Sequence, residues 1–386
     1  MSVPSLTVQE LWDTILDFLD DSRPALKSAA LVCTSFASRA QSHLFREIHL
    51  PTSHYGQGHI NLNNRTVTQA SQLALLMNSS PHLVRHVHSL SLGICETGAV
   101  VPLARIPWTS VHTLCLDRMH YIPQASEDFL GGIQTLIGMP SLRMVSLGGR
   151  GDDSWSSQEL SMVLSRCGAG VQGIGFKYIN PRRCAVSIDS ESLGQRPTIR
   201  ELRLDRSPGI VELFNDPAPL LDFASLRHLQ IRNSSDTIAF DSFLRRTGGT
   251  ITRLSIHARD EMQTLNLALL PALVHLECGE FGCGGADLNV LLARAPTSLI
   301  SIHLSSISRA LQEPTFPHFA REFESIVLEH FPALRQVSLV ARISIHRWLI
   351  PDKWDDDHPA LIGAMQNALS RLHKKGLLTV YIAPMD

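Results

Sequence analysis

The sequence has almost no surplus of charge: 34 Lys and Arg stand against 36 Asp and Glu in 386 residues. A net charge of −2 supplies no basic field, so neither nucleic acid nor an anionic membrane surface is an expected partner. Paired cysteines are lacking as well. Cys33, Cys95, Cys115, Cys167, Cys184, Cys278 and Cys283 are scattered and odd in number, with no two closely spaced doublets. That spacing excludes a disulfide framework and a structural zinc site, and predicts reduced, mostly buried thiols. No run of 18 apolar residues occurs, and the start, "MSVPSLTVQELWDTIL", has no basic segment ahead of an apolar one. The expectation is an intracellular, soluble chain, cytoplasmic with entry to the nucleus left open. No Gly-rich loop follows a strand and no nucleophile elbow is present, so no catalytic residue, cofactor or metal is expected.

What is present falls into two patterns, in a chain longer than one core organises: several domains or a repeat array. The first fills some fifty residues. Thr7 and Glu10 have the spacing of a capping box, and Leu11, Ile15, Phe18 and Leu19 follow as one inward-facing stripe of a helix. "SRPALKSAALV" reads as a second helix with Ser22 as cap, Pro24 in the first turn and Leu26, Ala29 and Ala30 inward. "TSFASRAQSHLF" reads as a third, capped by Thr34 or Ser35, with Phe36, Ala37, Ala40, Leu44 and Phe45. Three short helices bury little on their own. Leu31, Val32, Cys33 and Phe36 are left over at the junction of the second and third, either as a partner surface or as packing against the rest of the chain.

In this span the chain resembles the F-box family. Leu6, Glu10, Leu11, Ile15, Leu16, Leu19, Asp20, Asp21, Leu26, Leu31, Val32, Cys33, Phe36, Leu44 and Phe45 follow the family's order at compatible spacing. It departs at Thr7, where the family prefers Pro, and at Phe36, where Trp is common. The resemblance implies a helix-on-helix contact with a Skp-type adaptor, and through it cullin and RING subunits. Leu6, Leu31, Val32, Cys33 and Phe36 would sit at that contact.

The second pattern, apolar-x-x-apolar-x-apolar, starts at Val87, Val111, Leu142, Val171, Ile199, Leu226, Ile251, Leu273, Leu299, Leu334 and Leu377. Eight intervals run from 22 to 31 residues, and the last two are 35 and 43, which predicts insertions before Leu334 and Leu377. Chance alone fills such a pattern in about one window in twelve. Two features in register strengthen it: Pro140, Pro197, Pro271 and Pro332 stand two residues ahead of it, and Arg143, Arg200, Arg227 and Arg335 follow its first position. Helical stretches alternate with these strands, among them "TQASQLALLMN", "SEDFLGGIQTLIGM", "SSQELSMVLSRCG", "ADLNVLLARA", "HFAREFESIVLEHF" and "ALIGAMQNALSRLHKKG".

Strand, loop, helix and Pro at this period resemble irregular leucine-rich repeats. The implied fold is an α/β solenoid: a three-helix F-box at 5–50, a linker and first helical segment at 51–82, and a repeat horseshoe at 83–386 with a parallel sheet on its concave side. The Asn or Cys expected in the turn after each strand appears only as Cys95, so each turn must be satisfied separately. Alternation would direct Glu201, Arg203, Asp205, His228, Gln230, Arg232, Arg253, Ser255, His257, His275, Glu277, His303 and Ser305 to the open face. That row is either a target-binding ladder or a solvated sheet face. Arg-Gly-Asp in "GGRGDDS" reads as a turn, "HLECGEFGCGGAD" is too sparse for metal, and "PDKWDDDHP" reads as an exposed acidic loop. As fungal F-box proteins with degenerate repeats would, the chain is expected to be the non-catalytic recognition subunit of a ubiquitin ligase, holding an unknown target protein. A scaffold of the same build, working outside a ligase, is the alternative.

Overall fold

In a computed structural model, every one of the eleven expected strands begins one or two residues after the first apolar position of its repeat. The structure describes residues 8–20, 22–50, 62–93, 97–117, 127–149, 157–181, 196–207, 209–215, 221–233, 237–257, 265–279, 286–305, 316–343 and 362–384. The chain divides into two compact units, 1–197 and 198–386.

The first unit opens with helices α1 (Val8–Asp17), α2 (Arg23–Ala30) and α3 (Thr34–Arg46). Ser22 occupies the N-cap of α2 but makes no side-chain cap bond, and Pro24 sits in the first turn, where no amide hydrogen is missed. The N-cap of α3 is Cys33, in extended backbone, rather than Thr34 or Ser35. Thr7 and Leu6 lie outside the described residues. Leu26 and Ala40 are buried where α2 meets α3.

Helix α3 runs straight into a strand absent from the expected set, β1 (Glu47–Leu50). It heads a parallel sheet with β2 (Ser89–Leu92), β3 (Thr113–Leu116), β4 (Met144–Gly148) and β5 (Gly173–Lys177), paired in chain order. The signal was available, because Phe45, Ile48 and Leu50 carry the same apolar spacing as the other repeats. Ile48, Leu90, Leu114, Val145 and Ile174 stand in one row, and Leu50, Leu92, Leu116, Leu147 and Phe176 in the next. Apart from the half-buried Ile48, every member of these rows is buried, so a slip of one residue would turn the set to water.

The second unit repeats the design with β6 (Glu201–Asp205), β7 (His228–Arg232), β8 (Arg253–Ile256), β9 (His275–Cys278), β10 (Ser301–Ser305), β11 (Gln336–Ile343) and β12 (Leu378–Pro384). All pair in parallel in chain order. Leu202, Leu229, Leu254, Leu276, Ile302 and Val337 form one buried row, backed by Leu204, Ile231, Ile256, Cys278, Leu304 and Leu339. The last strand departs from the repeat, since Val337 pairs with Leu378 instead of Val380, a shift of two residues that keeps the apolar parity. Phe214, Phe223 and Phe243 fill the space beneath β6 to β8 with ring centroids 4.8 to 6.4 Å apart.

Three of the four recurrent prolines act as turn formers, while after Pro197 the Ile199 amide bonds the Asp222 carbonyl at 2.8 Å. The amides of Leu142, Leu273 and Leu334 bond the carbonyls of Met139, Leu270 and Phe331 three residues earlier. Pro140, Pro271 and Pro332 are the second residue of those four-residue turns, where their fixed φ fits. The turns after the strands are held by main chain, as when Arg206 N–H donates to Arg232 O at 2.7 Å and Gly149 N–H to Lys177 O at 2.7 Å. Tyr178, Arg206 and Asn233, seven residues into three successive repeats, take left-handed backbone with φ of 55°, 48° and 50°. A Cβ on Gly149 would lie 2.3 Å from the Tyr178 carbonyl oxygen, so only glycine allows that approach.

Each unit is thus an α/β solenoid of strand, loop, helix and turn. Helices 97–104, 210–214 and 237–247 were not expected; Thr97–Ala104 contains Gly98 and Pro102 and is apolar on every side, which hides the helical period. Residues 306–315 and 344–361, where insertions are expected, lie outside the described residues.

Candidate functional site

Two surfaces stand out, one on each unit. On the first, α1 reverses the expected orientation of its apolar stripe. Leu16 is the buried residue, at 2% exposure, while Leu11 (51%), Ile15 (40%) and Phe18 (86%) face outward with Trp12. The reason is local chemistry. Arg39 of α3 donates through Nε and Nη2 to Asp17 at 2.7 and 2.6 Å. His43 places Nε2 2.8 Å from Asp17 and Nδ1 2.8 Å from Asp20. Those carboxylates must face α3, and the stripe at Leu11, Ile15 and Phe18 is carried to the other side. Arg39 holds the Asp17 carboxyl below the usual range, against the opposing effect of burial and with help from His43.

The same surface includes the junction of α2 and α3. Leu31 is 88% and Val32 68% exposed, and Cys33 is exposed too. Phe36 differs from its expected companions, being half-buried against Trp12 with ring centroids 5.0 Å apart. It therefore ties α1 to the turn that carries Leu31 and Val32. Leu6, the remaining residue expected here, lies outside the described residues. Sequence reasoning missed Trp12, although it stands four residues before Leu16 on the same helix.

On the second unit, the open strand face carries the expected polar ladder in register. One row runs Glu201, His228, Arg253, His275, Ser301 and Gln336; the next runs Arg203, Gln230, Ser255, Glu277, His303 and Ser338. Asp205, Arg232 and His257 continue it at the strand ends. Ser255 and Ser305, expected to face outward, are only 6% and 3% exposed, and Ser255 donates to Glu277. Gly279 makes room there, since a Cβ on it would fall 2.4 Å from His257 Nδ1.

Two of the anions on this face, Glu201 and Glu277, have hydrogen-bond donors. Glu201 accepts from Arg203 Nε at 2.6 Å and lies 3.4 Å from His228 Nδ1. The bond from His228, with that from Arg203, outweighs burial and holds Glu201 at about 2. Glu277 accepts from Ser255 Oγ at 2.9 Å and approaches His257 to 4.0 Å. Asp205 Oδ1 is buried with no hydrogen-bond partner among the described residues. The guanidinium of Arg253, by contrast, is exposed and makes no hydrogen bond or ion pair among the described residues; its main-chain amide donates to Arg227 O at 2.9 Å. It stands between His228 and His275 in register. Burial, with Arg253 adding to it, lowers the pKa of His275.

Chemically the ladder offers hydrogen bonds and charge. His275 Nδ1 lies 2.6 Å from Ser301 Oγ, but the group on its other flank is Arg253, so no carboxylate orients the ring for proton relay. Among the described residues no three His, Cys, Asp or Glu come together as metal ligands. Cys278 fills a core position and burial pushes its thiol far up, as it pushes Cys167 to about 12. Arg150, Gly151 and Asp152 of the Arg-Gly-Asp triplet, Glu280 and Cys283, and the acidic loop 351–359 lie outside the described residues. No described helix is long and apolar enough to cross a membrane.

No protein-family profile matches the chain, and no curated protein matches it. Among solved structures it is similar to the leucine-rich repeat-containing protein LegL7 from Legionella pneumophila, at 15% identity and a TM-score of 0.45. That alignment covers 84% of this chain and 89% of the other.

Proposed function

We propose that the chain is a recognition subunit of a Skp-cullin-F-box ubiquitin ligase. The α1–α3 unit would dock a Skp-type adaptor, and the repeat strands would hold a target protein. The observation that carries this reading is the outward placement of Leu11 and Ile15 on α1, Phe18 just after it, and Leu31 and Val32 in the turn between α2 and α3. Burying one such side chain is worth about 1.5–3 kcal/mol, so a partner helix laid over several of them would gain enough for a stable complex. Catalysis would belong to the assembled ligase. This chain would act by position, raising the local concentration of a target lysine near the transfer site.

Co-expression with a Skp-type adaptor tests the reading. Wild-type chain co-purifies with the adaptor, and the pair Leu31→Ala and Val32→Ala abolishes it while circular dichroism stays unchanged. Phe36 is the wrong position to probe, because it packs on Trp12 and its loss would disturb α1 itself. Failure of the wild type to bind leaves a repeat protein acting outside a ligase.

A further inference from the structure

The repeat face of the second unit has a chemical bias that its sequence composition hides. Formal charges nearly cancel along it, yet they are not equally available. Glu201 is taken by Arg203 and His228, whereas Glu277 accepts only from the neutral Ser255 hydroxyl, keeps its charge and stands one row away from Arg253. Arg253 has no counter-ion among the described residues and is exposed. The donors nearest it across the sheet are the rings of His228 and His275, each with Nδ1 already engaged, by Glu201 on one side and Ser301 on the other. Three nitrogen-bearing side chains therefore stand abreast on β7, β8 and β9, about 4.8 Å from strand to strand, with one full positive charge at their centre.

We infer that this row, His228, Arg253 and His275, recognises an anion, and that its ligand is one carboxylate side chain of an extended Asp- or Glu-bearing segment of a partner protein. The inference rests on the proposed reading of the repeat face as the target surface. A guanidinium offers paired N–H donors that match the two oxygens of a carboxylate. One cation suits one negative charge; a phosphate dianion favours a second beside it, and in the rows of Arg253 and Glu277 the other arginine, Arg203, is spent on Glu201, while Arg232 lies at the strand end beside Asp205. Glu277, one row further along β9, repels acid there and confines the incoming carboxylate to the row of Arg253.

Binding should take up a proton. The groups facing His275 are Arg253 and Ser255 on β8, Ser301 and His303 on β10, and Glu277 on its own strand. An anion beside Arg253 offsets the positive field there and favours the charged ring, so affinity rises as pH falls while the ligand carboxylate stays ionised.

The test uses the full chain and two kinds of probe. Random linear dodecapeptides displayed on phage are selected on wild type and on Arg253→Gln, whose side chain is exposed and whose replacement leaves the core intact. A fluorescein-labelled dodecapeptide of alternating Glu and Ser is then titrated by anisotropy, beside its Gln–Ser and phosphoserine counterparts. The inference expects enrichment of Asp and Glu on wild type that disappears on the variant. It also expects the Glu peptide to bind at least about tenfold tighter than the Gln peptide. A further gain of roughly threefold to tenfold should appear between about pH 8 and about pH 6, lost in His275→Gln. Acidic selection that survives Arg253→Gln overturns the assignment, as does preference for the phosphoserine peptide alone. Neutral peptides that depend on Arg253 would keep the face as target surface and remove the anion. Peptides insensitive to Arg253→Gln, His275→Gln and His303→Ala alike would remove the face itself, and with it the target half of the proposed function.

Discussion

Arg39 grips Asp17 through two hydrogen bonds, 2.7 Å from Nε and 2.6 Å from Nη2, and so fixes which side of α1 meets α3. An ordinary core contact would have placed the apolar stripe inward. Here the pair lies on the side of α1 that buries Leu16, and Leu11, Ile15 and Phe18 face outward.

Arg39→Ala therefore frees α1 more than it unfolds the protein. Both side chains are about two-fifths exposed (41% and 43%), so screening by water limits the pair to roughly 0.2–1 kcal/mol of stability. Amide exchange across residues 8–17 should quicken severalfold while the strands keep their protection. Equal loss of protection in α1 and in β2 to β5 would contradict this.

Acid acts at the same place. The Asp17 carboxyl is held below its ordinary 3.8, so its contribution is complete above that value and is lost as pH falls through the lowered one. Glu201 follows the same sign, with its contribution fading between about 4.5 and about 2. Exchange measured down this range should show α1 loosening in acid, and Asp17→Asn should remove much of that dependence.

Two adjacent glycines give opposite results. In helix Glu127–Ile137, nothing stands within 4 Å of a Cβ placed on Gly131, whereas one on Gly132 would lie 2.8 Å from Val100 Cγ1. Gly131→Ala should stabilise by up to about 1 kcal/mol through helix propensity. Gly132→Ala should destabilise by about 1–3 kcal/mol, because the β-branched Val100 cannot swing away. Thermal melts of the two variants decide the matter.

Strand positions separate by burial alone. Leu229→Ala, in the middle of a fully buried row, should cost about 2–5 kcal/mol. Leu31→Ala should change the melting temperature little, since that side chain is already in water. A large loss at Leu31 would mean that it packs within the chain.

The repeat was legible because its signal is long and redundant: eleven apolar triplets, eight of them with a first position whose amide closes a turn three residues back, and each with two positions that enter the sheet. Strand β1 carried the same triplet and was hidden only by its place beside α3. The direction of α1 was not legible. Leu11, Ile15, Phe18 and Leu16 are all apolar, and spacing cannot say which side is inward when Asp17, Asp20, Arg39 and His43 settle it at a distance of twenty residues or more. The polar ladder was legible in membership but not in pairing. That Glu201 is spent while Arg253 is available depends on which strand lies beside which. Ser255 and Ser305 alternate with core residues as expected, yet they are buried.

The proposed adaptor contact on α1–α3 is put to its sharpest trial by calorimetric titration of the full chain with a purified Skp-type adaptor, comparing wild type with Leu31→Asp. Wild type should bind saturably with a negative heat-capacity change, the mark of apolar surface leaving water, and a charge at Leu31 should weaken binding by at least about a hundredfold. No binding by the wild type, or equal binding by Leu31→Asp, would contradict the ligase reading.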